Sequence, residues 1–381
     1  MNMAWLLGAL TFVIWLVLWL RHGGFWRTEV APAPAGPHDW PSVVAVIPAR
    51  DEAEGIGRVV GSLLTQDYKG RFGIIVVDDQ STDGTADVAR HTASAAGAAD
   101  RLTIVSGSAP PAGWVGKMWA VSQGVAKAAE IDPSARYILL TDGDVSHGAQ
   151  NLSHLVARAE AGALDLASLM VRLRCDSLAE RMLIPAFVFF FQMLYPFTWV
   201  NDPANKTAAA AGGCMLVRRS ALEGIGGIAA IKSALIDDCA LAAAIKRRGP
   251  IWLALTNDAE SLRIYGGIAD VWRMVARSAY TQLRYSPMLL LGTVLGLAIT
   301  FLAPPLLFFW GHGGASTFGL IAWFIMSACY APMLRFYGLS LWWAPLLPVV
   351  ALVYLGATID SALRHMRGKG GAWKGRFQST R

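Results

Sequence analysis

The chain has 381 residues, more than one typical domain, and its 16% charged residues compare with about 25% in soluble domains. Hydrophobic residues make up 54%, with 15 Trp and 15 Phe, which excludes an ordinary soluble domain as a description of the whole and indicates membrane attachment. The net charge of +6 forms no stripe of the kind that binds nucleic acid and gathers at the ends of apolar segments, so a membrane surface accounts for it better than DNA or RNA.

Residues 3–20, MAWLLGALTFVIWLVLWL, carry no charge and are long enough to span a bilayer. A signal peptide would place basic residues before the apolar core and a small-residue cleavage site just behind it. Here Arg21 and Arg27 follow the core. An uncleaved anchor over residues 1–27 is expected, with the chain beyond it cytoplasmic. Residues 28–41 contain four prolines and read as a stiff linker.

Residues 42–285 have soluble-domain character. SVVAVIPAR predicts a strand, and Ile56, Val59, Val60, Leu63 and Leu64 then recur at helical spacing. GIIVVDD predicts a second strand with a helix from about Thr82, RLTIVSG a third and RYILLTDGD a fourth. The alternation implies an α/β domain with a mostly parallel sheet and helices on both faces. Ligands of such sheets bind beyond the carboxyl ends of the strands. Three of these strands end in acids, as PARDE, DDQSTDG and TDGD. In extended backbone Asp142 and Asp144 share a face. Paired carboxylates there suit Mg²⁺ or Mn²⁺ shared with a phosphorylated substrate. A polar turn explains any one of these clusters, but three on one sheet edge favour a site.

Residues 182–200, MLIPAFVFFFQMLYPFTWV, are uncharged and interrupted by Pro185 and Pro196. They read either as a buried helix or as a membrane-contacting segment. Cys175, Cys214, Cys239 and Cys329 show no CxxC pairing, which argues against a zinc site and a disulfide framework. Apolar stretches at about 288–310, 317–334 and 339–360 form a membrane region over 286–362, followed by a basic tail, 363–381, expected in the cytoplasm. A domain and a tail on one side require an even number of crossings. One of the three stretches is therefore expected to be a re-entrant or interfacial element, with the one interrupted by Pro304 and Pro305 as the candidate.

In chain order, VIPARDE, IIVVDDQSTDGT, GWVGKMWA, LLTDGDV, AAGGCMLVRRSAL and LIDDCALA resemble the signatures of family 2 glycosyltransferases of the GT-A fold. The anchor and the apolar C-terminal third resemble a narrower group, the hopene-associated glycosyltransferases of bacterial hopanoid clusters. The resemblance implies a nucleotide-sugar donor, commonly a UDP-sugar, and a multi-pass protein of the bacterial cytoplasmic membrane with its catalytic domain in the cytoplasm. It implies that Pro48, Ala49 and Glu52 border the nucleotide, and that Asp79, with Asp78 beside it, contacts the base or ribose. Asp142 and Asp144 match the DxD motif that shares Mg²⁺ or Mn²⁺ with the diphosphate, Asp144 as the direct ligand. Lys117 would face the nucleotide-sugar, and Gly212 and Gly213 would approach the donor or acceptor sugar. Asp238 would be the catalytic base of an inverting displacement, with Asp237 in support.

Each residue also has a structural reading. Lysines at strand edges are usually solvated, acids favour helix N-termini, and glycines permit strand bends. Asp51 and Asp83 read equally as helix caps. Gln282 and Arg284 in YTQLRYS depart from the QxxRW signature of processive members, which favours transfer of a single sugar. A lipid acceptor is expected, either a hopanoid or a polyprenyl phosphate. The remaining alternatives are a non-catalytic membrane module that kept the fold and an enzyme of nucleotide-sugar synthesis. The complete acid set argues against the first. The absence of a glycine-rich basic loop in IPARDEAEGIG argues against the second.

Overall fold

The structure is a computed structural model and describes residues 3–367 and the short strands Ala372–Trp373 and Arg376–Phe377; the rest of the basic tail lies outside the described residues. Helix α1 (Met3–Arg21) leads through the linker to β1 (Val43–Ala49), in which every residue is buried. Strand alternation sends Val43, Ala45 and Ile47 into one apolar cluster and Val44 and Val46 into another. A strand buried on both faces needs covering helices on both, and the chain supplies them. It continues as α2 (Ala53–Leu64), β2 (Phe72–Asp78), α3 (Thr85–Ala95), β3 (Leu102–Ser106), α4 (Gly116–Ile131) and β4 (Tyr137–Thr141), the alternation that the sequence predicts.

Beyond β4 the pattern changes. It runs β5 (Val145–His147), α5 (Asn151–Ala161), β6 (Leu166–Arg172), α6 (Leu178–Leu194), α7 (Phe197–Asn201), β7 (Cys214–Arg218), α8 (Arg219–Gly224), α9 (Asp237–Lys246), β8 (Ile251–Ser261) and α10 (Ile268–Gln282). All eight strands form one sheet in the order β3-β2-β1-β4-β7-β6-β8-β5. The pairs β1–β2, β1–β4, β2–β3 and β6–β8 are parallel; β7 runs antiparallel between β4 and β6, and β5 closes the edge antiparallel to β8. This is the mostly parallel GT-A sheet that was expected. Helix α4 approaches it closely at Gly124, where a Cβ would lie 2.4 Å from Val46 Cγ1.

Among the described residues, four helical segments are long and apolar enough to cross a membrane: Met3–Arg21, Pro287–Trp310, Gly314–Phe336 and Leu341–Met366. The second is built from α11 (Pro287–Leu297), a π-helical stretch Ala298–Leu302 and α12 (Ala303–Trp310). Pro304 and Pro305 cannot donate backbone hydrogen bonds, and the wider π turns precede them. Helix α1 supplies partners to carbonyls of that stretch. Thr11 Oγ1 donates to Ile299 O at 3.0 Å, and Trp15 Nε1 donates to Thr300 O at 2.7 Å. The prolines therefore sit within one helical segment of 24 residues that is long and apolar enough to cross a membrane.

Contacts between the ends order the bundle. Gly314, at the start of α13 (Gly314–Phe336), lies against Trp5 near the start of α1. At the opposite end, His22 Nε2 meets Met193 O of α6 at 2.8 Å and the Arg172 guanidinium lies 5.7 Å from the Tyr337 ring, so this end adjoins the sheet domain. From there the chain turns back. Trp323 Nε1, in the middle of α13, donates to Pro345 O at 3.0 Å. Helix α14 (Leu347–Met366) then returns to the domain end, where His365 stacks on Tyr285 at 4.3 Å, two residues before α11 begins. Residues 341–366 thus reach in beside α13 and come back.

Helix α6 joins the two parts. Its start is a capping box of Ser177 and Glu180, and the buried Glu180 carboxylate also accepts from Tyr265 N at 2.9 Å. Phe189 packs on Phe25 and Tyr330, and Tyr354 donates its hydroxyl hydrogen to Leu183 O at 2.9 Å. The 182–200 segment is therefore largely a buried helix that packs against the span bundle. Val46, Met118 and Leu140 of the domain belong to the same contiguous core as Tyr330, Leu334 and Tyr354 of the spans. All four cysteines are free.

Candidate active site

The carboxyl ends of β1, β2 and β4 converge on one edge, as their parallel pairing requires. Ala49 pairs with Asp78, and Val46 pairs with Leu140. Asp79 is fully buried; its N–H donates to Ala49 O at 2.8 Å, and Arg50 Nη1 donates to its carbonyl at 2.6 Å. Asp78 Oδ1 accepts from Ser81 N at 3.0 Å and so shapes the turn after β2. Gly107 lets β3 approach this turn, since a Cβ there would lie 2.9 Å from Asp78 O.

The two residues that read equally as caps serve structure across loops. Asp83 Oδ2 accepts from Ala53 N at 2.9 Å and Oδ1 from Thr85 N at 3.0 Å, so one carboxylate serves the starts of both α2 and α3. Asp51 does not cap its own helix: its Oδ1 accepts from Thr82 N at 2.9 Å, and Glu52 occupies the N-cap position of α2.

Asp142, Gly143 and Asp144 form a turn between β4 and β5, with Val145 N donating to Asp142 O at 3.3 Å. The extended backbone expected for this stretch is not found, because β5 folds back at once to pair with β8. Asp142 Oδ1 meets Lys117 Nζ at 2.8 Å. Burial, then repulsion from Asp142 and Glu52, raises the Asp144 pKa to about 6 against the opposing pull of Arg263 and Lys117. A Cβ at Gly143 would make only ordinary contacts, 3.4 Å from Pro48 O and from Glu52 Cγ, so space does not demand glycine there.

Lys117 lies in the first turn of α4, and its Nζ also meets Asp237 Oδ2 at 3.2 Å. Burial opposes its charge, but Asp142, Asp237 and Asp238 outweigh burial and raise its pKa. Helix α9 begins at Asp237, one residue earlier than expected, with Ile236 as its N-cap. Asp238 Oδ2 accepts from Gly212 N at 3.0 Å and Oδ1 from Cys239 N at 2.7 Å. Burial, then the Asp237 carboxylate, lifts Asp238 to about 6 despite these donors and Lys117. The two neighbouring glycines differ in surroundings. A Cβ on Gly212 would face Asp238 and Lys117, whereas one on Gly213 would meet Val171 Cγ2 at 2.8 Å, so Gly213 is a packing position.

The structure thus brings Pro48, Lys117, Asp142, Gly212 and Asp237 to one cleft floored by Met118 and Val121, with Asp144 and Asp238 adjoining. Sequence reasoning missed Arg263, an exposed cation whose field reaches Asp144; it carried no motif. It also missed Tyr195, whose hydroxyl accepts from Gln282 Nε2 and lies within the electrostatic reach of Cys239 and Asp238. Among the described residues no group of three or more His, Cys, Asp or Glu side chains is arranged to hold a metal ion. The available set is the pair Asp142 and Asp144 with Glu52 nearby, and the mutual repulsion that raises Asp144 is of the kind a cation relieves.

Residues 44–226 match the family model described as glycosyl transferase family 2. No curated protein matches the sequence. Among solved structures, the chain is similar to the mannosyltransferase PcManGT from Pyrobaculum calidifontis in complex with GDP-Man and Mn²⁺, with a TM-score of 0.55 at 18% identity over 95% of this chain and 97% of that one. Weaker likenesses are to S. aureus TarS (TM-score 0.42, 16% identity, 63% of this chain and 40% of that one) and to mannosyl-3-phosphoglycerate synthase from Rubrobacter xylanophilus (TM-score 0.38, 18% identity, 64% and 74%). Residues 44–226 thus match glycosyltransferase family 2 on a GT-A fold, and that match supports a glycosyltransferase.

Proposed function

We propose that the protein moves one sugar from a UDP-sugar to the hydroxyl of a membrane lipid, with inversion at the anomeric carbon. The observation that carries this reading is the Lys117 ammonium, held between Asp142 on the donor side and Asp237 beside the Asp238 carboxylate. Asp78, Asp79, Pro48, Ala49 and Glu52 border the nucleotide. Lys117 and Arg263 face the diphosphate, as positive charge near phosphate requires. Asp144 and Asp142 would hold Mg²⁺ or Mn²⁺, which when bound offsets the charge left on the departing diphosphate. Asp238, oriented by the N–H groups of Gly212 and Cys239, takes the proton of the acceptor hydroxyl. The acceptor oxygen bonds to the anomeric carbon as the bond from that carbon to the diphosphate oxygen breaks, and UDP leaves. Asp237 supports by fixing Lys117.

The lipid acceptor is supported by position. Gln282 meets Tyr195, whose hydroxyl lies within the electrostatic reach of Asp238, and stands five residues before the first residue of a membrane-length helix, Pro287. Within the lipids, a hopanoid is the acceptor that the sequence resemblance favours. The spans are read as three full crossings, α1, residues 287–310 and α13, with 341–366 entering and returning. The domain and tail then share the cytoplasmic face of a bacterial inner membrane. The test is incubation of the purified protein with radiolabelled UDP-sugars and membrane lipid extract. A labelled neutral lipid is the expected product, a labelled polyprenyl phosphate would replace the hopanoid, and no transfer from any UDP-sugar would refute the donor assignment.

A further inference from the structure

A buried polar chain runs behind the acid turn. Thr141, the last residue of β4, His147, the last of β5, and Asn151, the first of α5, are all buried. Thr141 Oγ1 lies 2.8 Å from Gly213 O and 2.9 Å from His147 Nε2. Asn151 Nδ2 lies 2.9 Å from His147 Nδ1 and 3.6 Å from Cys214 Sγ.

Donor counting gives the chain a direction. A threonine hydroxyl has one proton, and the Gly213 carbonyl can only accept. Thr141 therefore donates to Gly213, and its oxygen accepts from His147 Nε2–H. His147 Nδ1 is left with a lone pair, which accepts from the Asn151 amide. This tautomer follows from the network. The backbone on both sides of the imidazole is pinned as well. His147 N donates to Ser62 Oγ at 3.0 Å, Gln66 Nε2 donates to Gly148 O at 2.8 Å, and Gln66 Oε1 accepts from Leu152 N at 2.9 Å.

This chain adjoins the site at Thr141 and at Gly213. Thr141 is bonded to Asp142, and His147 closes the strand that begins after Asp144. Gly213 follows Gly212, whose N–H holds Asp238. We propose that His147 is a positioning residue for transfer: through Thr141 and the Gly213 carbonyl, the neutral imidazole locks the turn carrying Asp142 and Asp144 in register with the Gly212 amide that orients Asp238. This rests on the roles assigned to those acids above, and deepens them by naming what couples the two halves of the site.

Four variants of the full-length protein test it: Thr141→Val, His147→Gln, His147→Phe and the Thr141→Val/His147→Phe double. Thr141→Val removes only the hydroxyl at nearly constant volume, so it decides the question even where His147→Phe fails to fold. The expected result is a loss of kcat of about 10–100-fold for Thr141→Val and His147→Phe, the range for residues that orient ligands of a metal site, with KM for the UDP-sugar changed less. The double variant should be no worse than the poorer single, because both cut one chain. His147→Gln, which keeps a donor near the Nε2 position, should recover most of the rate. Additive losses, or a Thr141→Val variant with unchanged kcat, would overturn the proposal. ¹⁵N-histidine NMR of the protein in micelles gives a readout independent of any substrate. His147 should carry its proton on Nε2, and Thr141→Val should shift that resonance. An Nδ1-protonated His147 overturns the coupling even in an active enzyme. An Nε2-protonated His147 in a protein inactive with every donor keeps the geometry and overturns the transferase reading instead.

Discussion

Lys117 reaches Asp142 at 2.8 Å while its ammonium also meets Asp237 at 3.2 Å, so a single cation bridges the donor-side acid and the pair at the start of α9. Lys117→Met should therefore weaken UDP binding by about 10–100-fold, the loss that corresponds to one hydrogen bond to a charged group. Isothermal titration with UDP measures it. Unchanged affinity would remove Lys117 from the donor site.

The base assignment predicts a difference between adjacent acids. Asp238→Asn should lower turnover by about 10²–10⁴-fold, the usual range for general acid–base catalysis. Asp237→Asn should do less harm. Because Asp238 accepts from both Gly212 N and Cys239 N, its asparagine variant retains one acceptor oxygen, and about 1 kcal/mol of stability should be lost as well. Turnover and thermal midpoint must be read together. A normal rate in Asp238→Asn would rule out the base role.

The same residue sets a pH dependence. Burial and the neighbouring Asp237 carboxylate raise Asp238 to about 6, and only its ionised form can take a proton. kcat/KM should be flat above that pH and fall tenfold per unit below it. Asp237→Asn removes the repulsion, so the acid limb should move to lower pH. A limb that stays in place would assign it to another group.

Chelation with EDTA should abolish transfer, and Mg²⁺ or Mn²⁺ should restore it. Because Asp144 is also raised to about 6, a metal binding there must displace a proton, and the half-saturating metal concentration should rise as pH falls through that value. Full activity in chelator would dismiss the metal.

Reporters fused after residue 41 and at residue 381 should both lie in the cytoplasm, and one inserted at His312, between α12 and α13, on the opposite side. A tail reporter alone on the far side would mean that 341–366 crosses fully.

Much of this was legible because the relevant signals are local. The four alternating strands announced a parallel sheet, and the acids following β1, β2 and β4 announced the edge where a ligand binds. What the sequence hid depends on contacts between distant segments. Asp83 looks like the cap of its own helix, yet it also serves α2 from a different loop. Gly212 and Gly213 are chemically identical, and only the packing of Val171 separates them. Pro304 and Pro305 suggested a broken element, whereas the π turns before them and the α1 side chains keep the helix continuous. Arg263 belongs to no pattern and acquires meaning only because β8 ends near Asp144.

The apolar core that runs unbroken from Val46 and Leu140 to Tyr330 and Tyr354 makes the catalytic domain a poor candidate for life on its own. A chain cut after residue 285 would bare Phe189 and the rest of the α6 face, an aromatic surface with no partner in water. It should precipitate or need detergent, even though none of the proposed active-site residues lies beyond the cut. Solubilisation faces the same restriction. A detergent harsh enough to loosen the spans would soften the floor under α4, so activity should follow how well the surrounding lipid is mimicked.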